Sequence, residues 1–134
     1  KQIDALRANY QAAGVQAECV PFIDDMARAY ADADLVICRA GATTVTEIAA
    51  IGAAALFVPF PHAVDDHQTT NAKFLVDQGA GWLIQQRDLT PQGLADLLQK
   101  KERSALVQAA QKAKTMQKTN AVEDVVAACE ELTA

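Results

Sequence analysis

The segment of residues 35–47 constrains this chain most, because it reads as a short apolar strand, a glycine turn and the start of a helix. The apolar run 35–38 predicts the strand. Gly41 follows, where φ is free and no Cβ blocks a close approach. The N–H groups near residues 43–45 then point outward without partners, which favours a bound anion such as a diphosphate.

A second interpretation of this segment needs no ligand. Thr44 and Glu47 have the spacing of a capping box, in which a hydroxyl and a carboxylate satisfy the helix N-terminus by themselves. The segment alone is consistent with either an anion site or plain helix capping, and both interpretations stay open at this point.

The remainder of the chain alternates strand-like and helix-like segments. Helices are predicted over residues 1–13, 24–32, 44–51, 67–78, from 90 and from 104 onward with a break near 119–120, and strands over 18–22, 35–38, 55–58 and 82–84. The strand 55–58 is apolar without alternation, which predicts the middle of a parallel sheet. We therefore expect one α/β domain, a Rossmann-like parallel sheet flanked by helices.

Composition excludes several classes of function. The 134 residues carry a formal net charge of −5, so no basic stripe is available and we expect no nucleic-acid partner. Cys19, Cys38 and Cys129 are far apart, which predicts reduced thiols in a cytoplasmic protein. The longest apolar run, residues 48–60, is shorter than the ~20 residues of a spanning helix, and we expect neither a signal peptide nor a membrane span.

Unusual residues follow three of the predicted strands. In parallel sheets, ligands bind beyond the carboxyl ends of the strands, so these loops should meet at one edge. The first carries the apolar ledge Phe22, Ile23 and Met26, the second the Gly41 turn, and the third the polar segment 59–71. We expect the ledge to pack a flat base, the turn to bind phosphate and the polar segment to contact a sugar.

These blocks, in this order and spacing, closely resemble the MurG family of bacterial glycosyltransferases. The resemblance rests on residues 22–26, 38–42, 44–49, 57–62, 66–68 and 71–72, and it covers residues 20–81, with a looser helical match beyond. It implies the GT-B fold of family 28. It also implies inverting transfer of N-acetylglucosamine from its UDP donor to lipid I, giving lipid II for the peptidoglycan that cell division and cell shape require.

The resemblance implies that ten residues contact the UDP-sugar donor: Phe22, Ile23, Met26, Gly41, Ala42, Thr43, Thr44, Glu47, His67 and Gln68. The Ile23 backbone would meet the uracil, and residues 42–44 would hold the diphosphate. Glu47 would take the ribose hydroxyls, since a carboxylate accepts from two neighbours at once. Gln68 would select the sugar, because an amide group both donates and accepts.

Some of these residues have alternative interpretations. Phe22 and Met26 are also consistent with ordinary core positions. Arg39 fits either a phosphate contact or an ion pair with Asp24 or Asp34 that orders the turn.

The acidic and histidine residues around position 65 raise the question of a metal. His62, Asp65, Asp66 and His67 could be imagined as a cluster, but their spacing fits no standard ligand pattern. Asp65 and Asp66 are better interpreted as turn residues. We expect no metal or other cofactor.

The resemblance also implies what this chain lacks. Enzymes of the family have two Rossmann-like domains that face a cleft, and the first domain with its proposed catalytic histidine has no counterpart here. We therefore expect residues 1–134 to be a single partial UDP-sugar-binding domain, with a helical segment 104–134. The chain would be a carboxyl-terminal fragment with no catalytic residue and little or no hexosyltransferase activity alone. The full-length enzyme would be peripheral on the cytoplasmic face of the inner membrane.

The expected partners are UDP-N-acetylglucosamine and, through the missing domain, lipid I. A final helix 121–132 carries apolar Val122, Val125, Val126 and Cys129, which predicts self-association or pairing with an N-terminal-domain chain. Two other functions stay open. One is a non-catalytic nucleotide-binding or partner-dependent subunit. The other is a UDP-sugar epimerase of the same fold, whose only acid and base candidates are His62, Asp66 and His67.

Overall fold

The structure of the protein is a computed structural model that describes residues 2–62 and 66–117. Three parallel strands in the order β1-β2-β3 form its sheet: β1 Val36–Cys38, β2 Ala55–Phe57 and β3 Trp82–Leu83. The helices are α1 Gln2–Ala12, α2 Met26–Asp32, α3 Ala42–Ile51, α4 His67–Val76, α5 Pro91–Lys100 and α6 Arg103–Thr115, and a short 3₁₀ helix spans Gln86–Asp88.

The central strand is β2, as its unbroken apolar pattern predicts. Ala55 pairs with Val36 on one side, and Leu56 pairs with Trp82 on the other. All three residues of β2 are fully buried. A strand that is covered on both faces has no side exposed to solvent, so its sequence does not alternate between apolar and polar residues.

The core lies between the sheet and the helices that cross it. Ile48 of α3, Phe57 of β2 and Leu75 of α4 are among its largest fully buried members. Ala109 and Ala113 of α6 are also buried, and α6 packs along α3. Small side chains at these positions let the two helices approach closely.

The predicted strand 18–22 is wrong. Residues 15–20 form no regular element, and Val20 and Phe22 are exposed. A strand is stable only where a neighbour accepts and donates its backbone hydrogen bonds, and the described residues place none beside this segment. The helix that follows is capped by Asp25, one residue later than expected, whose Oδ1 accepts from Arg28 N at 3.0 Å.

The carboxyl-terminal half follows its local signals. Thr90 caps α5 by accepting from Gly93 N, and Pro91 is the first helical residue. Arg103, at the start of α6, binds Asp34 with two guanidinium nitrogens at 3.2 and 3.3 Å. The predicted break near 119–120 and the helix 121–132 lie outside the described residues. None of the described helices is both long and apolar enough to cross a membrane.

Candidate functional site

The carboxyl ends of β1 and β2 separate into two loops, and a side chain of α4 lies between them. The ladder between these strands ends with a hydrogen bond from Val58 N to Cys38 O, 2.8 Å long. Beyond it, Gln68 Oε1 accepts from Ala40 N at 3.1 Å and from Phe60 N at 2.8 Å. Gln68 therefore bridges the two loops beyond the last backbone pairing between the strands.

A second side chain of α4 contacts the same loop. Asn71 Nδ2 donates to Ala40 O at 3.0 Å, so both peptide groups of the fully buried Ala40 are bound by α4. Gln68 and Asn71 are three residues apart, which places them on one face of the helix. Sequence reasoning missed Asn71 as a site residue, although this spacing after Gln68 was a signal that could have found it.

The N-terminus of α3 has no side-chain cap. Gly41 is the N-cap residue with φ −61° and ψ 151°, and Val45 N is bonded to Gly41 O at 3.0 Å. Val45 N–H is the first N–H group that has an acceptor within the helix. The N–H groups of residues 42–44 have none, so they face outward from the helix end. The predicted capping box is wrong because the helix begins at Ala42, which places Thr44 inside the first turn.

The prediction that Gly41 is required for its conformational freedom is also wrong. Its φ of −61° is one that any residue adopts, so the turn does not need the conformational freedom of glycine. A Cβ built on Gly41 would meet only Thr44 Oγ1, at 4.0 Å, among the described atoms. The glycine therefore leaves open space beside the free N–H groups, where a side chain would otherwise project.

Glu47 lies near a buried tyrosine of α2. The side chains of Glu47 and Thr44 are close enough to the Tyr30 hydroxyl to influence its pKa. The pKa of Tyr30 is raised, first because the residue is buried and then because the negative charges of Glu47 and Cys38 oppose its ionisation. Tyr30 thus stays neutral beside the Glu47 carboxylate at neutral pH. Sequence reasoning also missed this residue.

Cys38 is not a candidate nucleophile. Burial raises the pKa of its thiol from 9.0 to about 11, so the thiol is protonated at neutral pH. Cys19 and Cys38 are both free. Cys129 lies outside the described residues.

The apolar ledge is on the surface. Phe22 is 76% exposed, Ile23 42% and Met26 38%, so the alternative of core positions for Phe22 and Met26 is wrong. Phe22 and Ile23 lie on the irregular segment that leads into α2, Met26 is the first residue of α2, and α2 packs against α3. These residues are thus available to a planar ligand next to the helix pair that carries Glu47.

Among the described residues, Arg39 does not form the ion pair with Asp24 or Asp34 that was one of its two interpretations, and its contact with a phosphate stays a prediction. Its Nη1 donates to Val58 O at 3.3 Å and to Pro59 O at 3.4 Å, and its guanidinium lies 5.5 Å from the centre of the Phe60 ring. Asp34 is paired with Arg103 instead. Arg39 therefore joins the two loops beyond β1 and β2.

The possible metal cluster is not supported in the described part of the chain, where no three His, Cys, Asp or Glu side chains could hold an ion together. Asp66 lies in a turn with φ 54°, and its Oδ1 accepts from Thr69 Oγ1 at 2.6 Å. His62 packs edge-on against Phe60 with ring centres 5.4 Å apart. Asp65 lies outside the described residues, and His67 is exposed at the first position of α4.

Comparison with known proteins agrees with this architecture. Residues 1–127 match the family described as the glycosyltransferase family 28 C-terminal domain. The chain is 76% identical over 132 residues to the UDP-N-acetylglucosamine--N-acetylmuramyl-(pentapeptide) pyrophosphoryl-undecaprenol N-acetylglucosamine transferase of Polaromonas sp. strain JS666, and 74% identical to the enzyme of that name from Polaromonas naphthalenivorans strain CJ2. These matches cover 98% of this chain and 34% and 37% of the two relatives.

A solved structure leads to the same result. The crystal structure of Acinetobacter baumannii MurG superimposes with a TM-score of 0.89 at 48% identity, covering 98% of this chain and 39% of that one. The predicted fold, a Rossmann-like parallel sheet flanked by helices as in the C-terminal domain of a GT-B glycosyltransferase, is confirmed. The chain spans about a third of the length of the curated relatives it matches. By the family match over nearly its whole length, the chain belongs to the glycosyltransferase family 28 C-terminal domains.

Proposed function

We propose that this chain is the donor-binding part of an enzyme that transfers N-acetylglucosamine from its UDP donor to lipid I, giving lipid II. The relatives and their names support the reaction. The observation that carries the proposal within this chain is the uncapped N-terminus of α3, beside which Gly41 leaves open space. An anion bound there meets several backbone donors and the positive end of the helix dipole.

The diphosphate of the donor would bind at the N–H groups of Ala42, Thr43 and Thr44. When the bond between the sugar and the diphosphate breaks, negative charge grows on the departing UDP. Fixed backbone donors stabilise that charge without having to reorganise during the reaction. Transfer by direct displacement, with inversion at the anomeric carbon, is consistent with this role.

The nucleoside would bind between the ledge and Glu47. The exposed ring of Phe22 and the side chain of Met26 offer apolar surface to uracil, and the Ile23 backbone offers hydrogen bonds. Glu47 would accept from the ribose hydroxyls. Tyr30 is compatible with that role because its neutral hydroxyl adds no charge near the Glu47 carboxylate.

Gln68 would contact the sugar by donation only. Its Oε1 already accepts from two backbone N–H groups, so both lone pairs are engaged. The Nε2 group remains for a sugar hydroxyl, with the exposed His67 beside it. The sequence-based expectation was that this amide both donates to the sugar and accepts from it. We now propose that it only donates.

We propose that residues 1–134 are one partial donor domain and that acceptor binding and deprotonation belong to the rest of the enzyme. Its partner is then an acceptor domain, on the same or another chain, and the complete enzyme works at the cytoplasmic face of the inner membrane. The coverage of about a third of each relative supports this division.

Calorimetric titration tests the proposal. The chain should bind UDP and UDP-N-acetylglucosamine in preference to ADP. Glu47→Ala should lower the affinity for both uridine ligands. Glu102→Ala, which removes an exposed carboxylate at the start of α6, is the matched control and should bind like the parent chain. Equal affinity for ADP and UDP, or no binding of either, would contradict the proposal.

A further inference from the structure

The geometry points to Gln68 and Asn71 as positioning residues that fix the N–H groups at the start of α3, so that the side chain facing the donor sugar also sets the affinity for the diphosphate. This inference rests on the proposed function and deepens it. It assigns Asn71 a role without ligand contact, and Gln68 a second role beside its sugar contact.

The first step concerns Ala40. This residue is fully buried, and its N–H and C=O groups are bound by Gln68 Oε1 and Asn71 Nδ2 at 3.1 and 3.0 Å. Buried peptide groups that lose such partners are costly, so the two side chains hold the Ala40 peptide groups in one orientation. Because α4 is anchored in the core through Ala72 and Leu75, the support is rigid.

The second step concerns Gly41, the only residue between Ala40 and the helix. A glycine has more freedom in φ and ψ than any other residue, and no side chain caps the helix after it. The direction of the first N–H groups of α3 therefore depends on the packing of α3 in the core through Ile48 and on the anchors at Ala40, rather than on a preference of the turn itself.

The third step is the consequence for binding. Backbone donors stabilise an anion best when they are fixed before it arrives, since no ordering cost is then paid on binding. Loss of either anchor should weaken binding of the diphosphate even when the ligand has no sugar. A residue that only contacts the sugar would leave the affinity for UDP unchanged.

Amide hydrogen exchange tests the anchoring without any ligand. In Gln68→Met, which keeps the length of the side chain but removes the acceptor, exchange at Ala40 N–H should be about tenfold faster or more. Gln78→Met, in the exposed turn after α4, is the matched control and should leave this rate unchanged. An unchanged rate at Ala40 in Gln68→Met would overturn the inference.

Titration tests the effect on binding. Asn71→Leu keeps the shape of the side chain and removes the donor to Ala40 O, and its affinity for UDP should fall about tenfold, the scale of one lost hydrogen bond. Its affinity for uridine, followed by NMR, should change less than about twofold, because the ledge and Glu47 are untouched. An equal loss for uridine and UDP would indicate general damage and overturn the positioning role.

Gln68→Met separates the two roles of that residue. Under the inference, this variant lowers the affinity for UDP as well as the affinity for UDP-N-acetylglucosamine. If Gln68 only contacted the sugar, only the affinity for UDP-N-acetylglucosamine would fall, and that result would overturn the inference. If this variant does not fold, Asn71→Leu tests the same anchor from its carbonyl side. If the parent chain binds no nucleotide, the proposed function fails, and the exchange rate at Ala40 still decides whether the anchor exists.

Discussion

The two ends of α3 are built in opposite ways. At its C-terminus, Gly52 has φ 78° and donates to Ile48 O at 2.9 Å, and Ala53 N binds the same carbonyl at 3.1 Å. Lys114 of α6 donates from Nζ to Ala50 O. Two of the last four carbonyls of the helix, those of Ile48 and Ala50, are thus paired within the protein.

The N-terminus of α3 is left open by comparison. Its N-cap Gly41 has no side chain to accept a hydrogen bond, and Ala42 and Thr43 are exposed. Each end carries a glycine, but only Gly52 has a backbone conformation that requires one. The C-terminal end therefore serves stability, and the N-terminal end is the one at which the proposed function places the diphosphate.

The largest effect on stability is expected from Gly52→Ala. A Cβ there would lie 2.9 Å from Lys114 Cβ and 3.3 Å from Ala110 O, at a φ that disfavours any side chain. Strain and overpacking together should reduce the free energy of unfolding by about 3 kcal/mol, measured by urea denaturation. Gly14→Ala is the control, since φ is 70° there but nothing lies within 4 Å, so only about 1 kcal/mol should be lost. Equal losses in the two variants would show that α6 does not close this end.

The next largest effect is expected on binding, from Gly41→Ala. Its φ of −61° accepts alanine, so the free energy of unfolding should stay the same or rise by about 0.5 kcal/mol. The new methyl group would occupy the space beside the N–H groups of residues 42–44, and the affinity for UDP should fall at least about tenfold by calorimetry. If Gly41→Ala lost as much stability as Gly52→Ala and kept its affinity for UDP, the proposed difference between the two ends of α3 would be contradicted.

Part of this architecture could be predicted from the sequence because it depends on local signals. An apolar run without alternation identified β2, and Thr90 before Pro91 identified the start of α5. The sheet order follows from such units, since parallel crossovers leave few alternatives. The resemblance to a known family placed Gly41 and Gln68 at one site, and the structure brings both to Ala40.

Other features could not be predicted because they depend on distant partners. Residues 18–22 have the composition of a strand, but a neighbouring strand is not encoded in that segment. The start of α3 at Ala42 is not marked by a capping side chain, so the spacing of Thr44 and Glu47 suggested a later start. Gln68 reaches a backbone group 28 residues away, and no local pattern reveals which atom of its amide is already engaged.

A smaller effect is expected from Tyr30→Phe, which removes a buried hydroxyl near Thr44 and Glu47. The free energy of unfolding should fall by about 1 kcal/mol at pH 7, the scale on which removal of one buried polar group changes stability. Because the folded pKa of Tyr30 is raised, the folded state holds this proton more tightly than the unfolded state, so the parent chain should lose stability as the pH rises above 10. Urea denaturation between pH 8 and 11 should show a shallower loss in Tyr30→Phe.

Cys38 has to be separated from Tyr30 in that experiment. Its folded pKa of about 11 lies above the ordinary 9.0, so its contribution is complete below pH 9 and is lost as the pH rises through 11. Cys38→Ala should therefore flatten the earlier part of the decline and Tyr30→Phe the later part. If neither variant changes the slope, the hydroxyl and thiol are not as buried in solution as the structure has them.

The smallest effect is expected from Lys114→Met, which keeps the aliphatic part of the side chain against Gly52 and removes the ammonium that binds Ala50 O. The bond lies at an exposed helix end and acts with the helix dipole, so about 0.5 to 1 kcal/mol of unfolding free energy should be lost. Lys112→Met makes the same change of charge on the same helix and is the control. A larger loss in Lys114→Met than in Lys112→Met, with unchanged UDP affinity in both, would show that the C-terminal end of α3 can be weakened without disturbing its open N-terminal end.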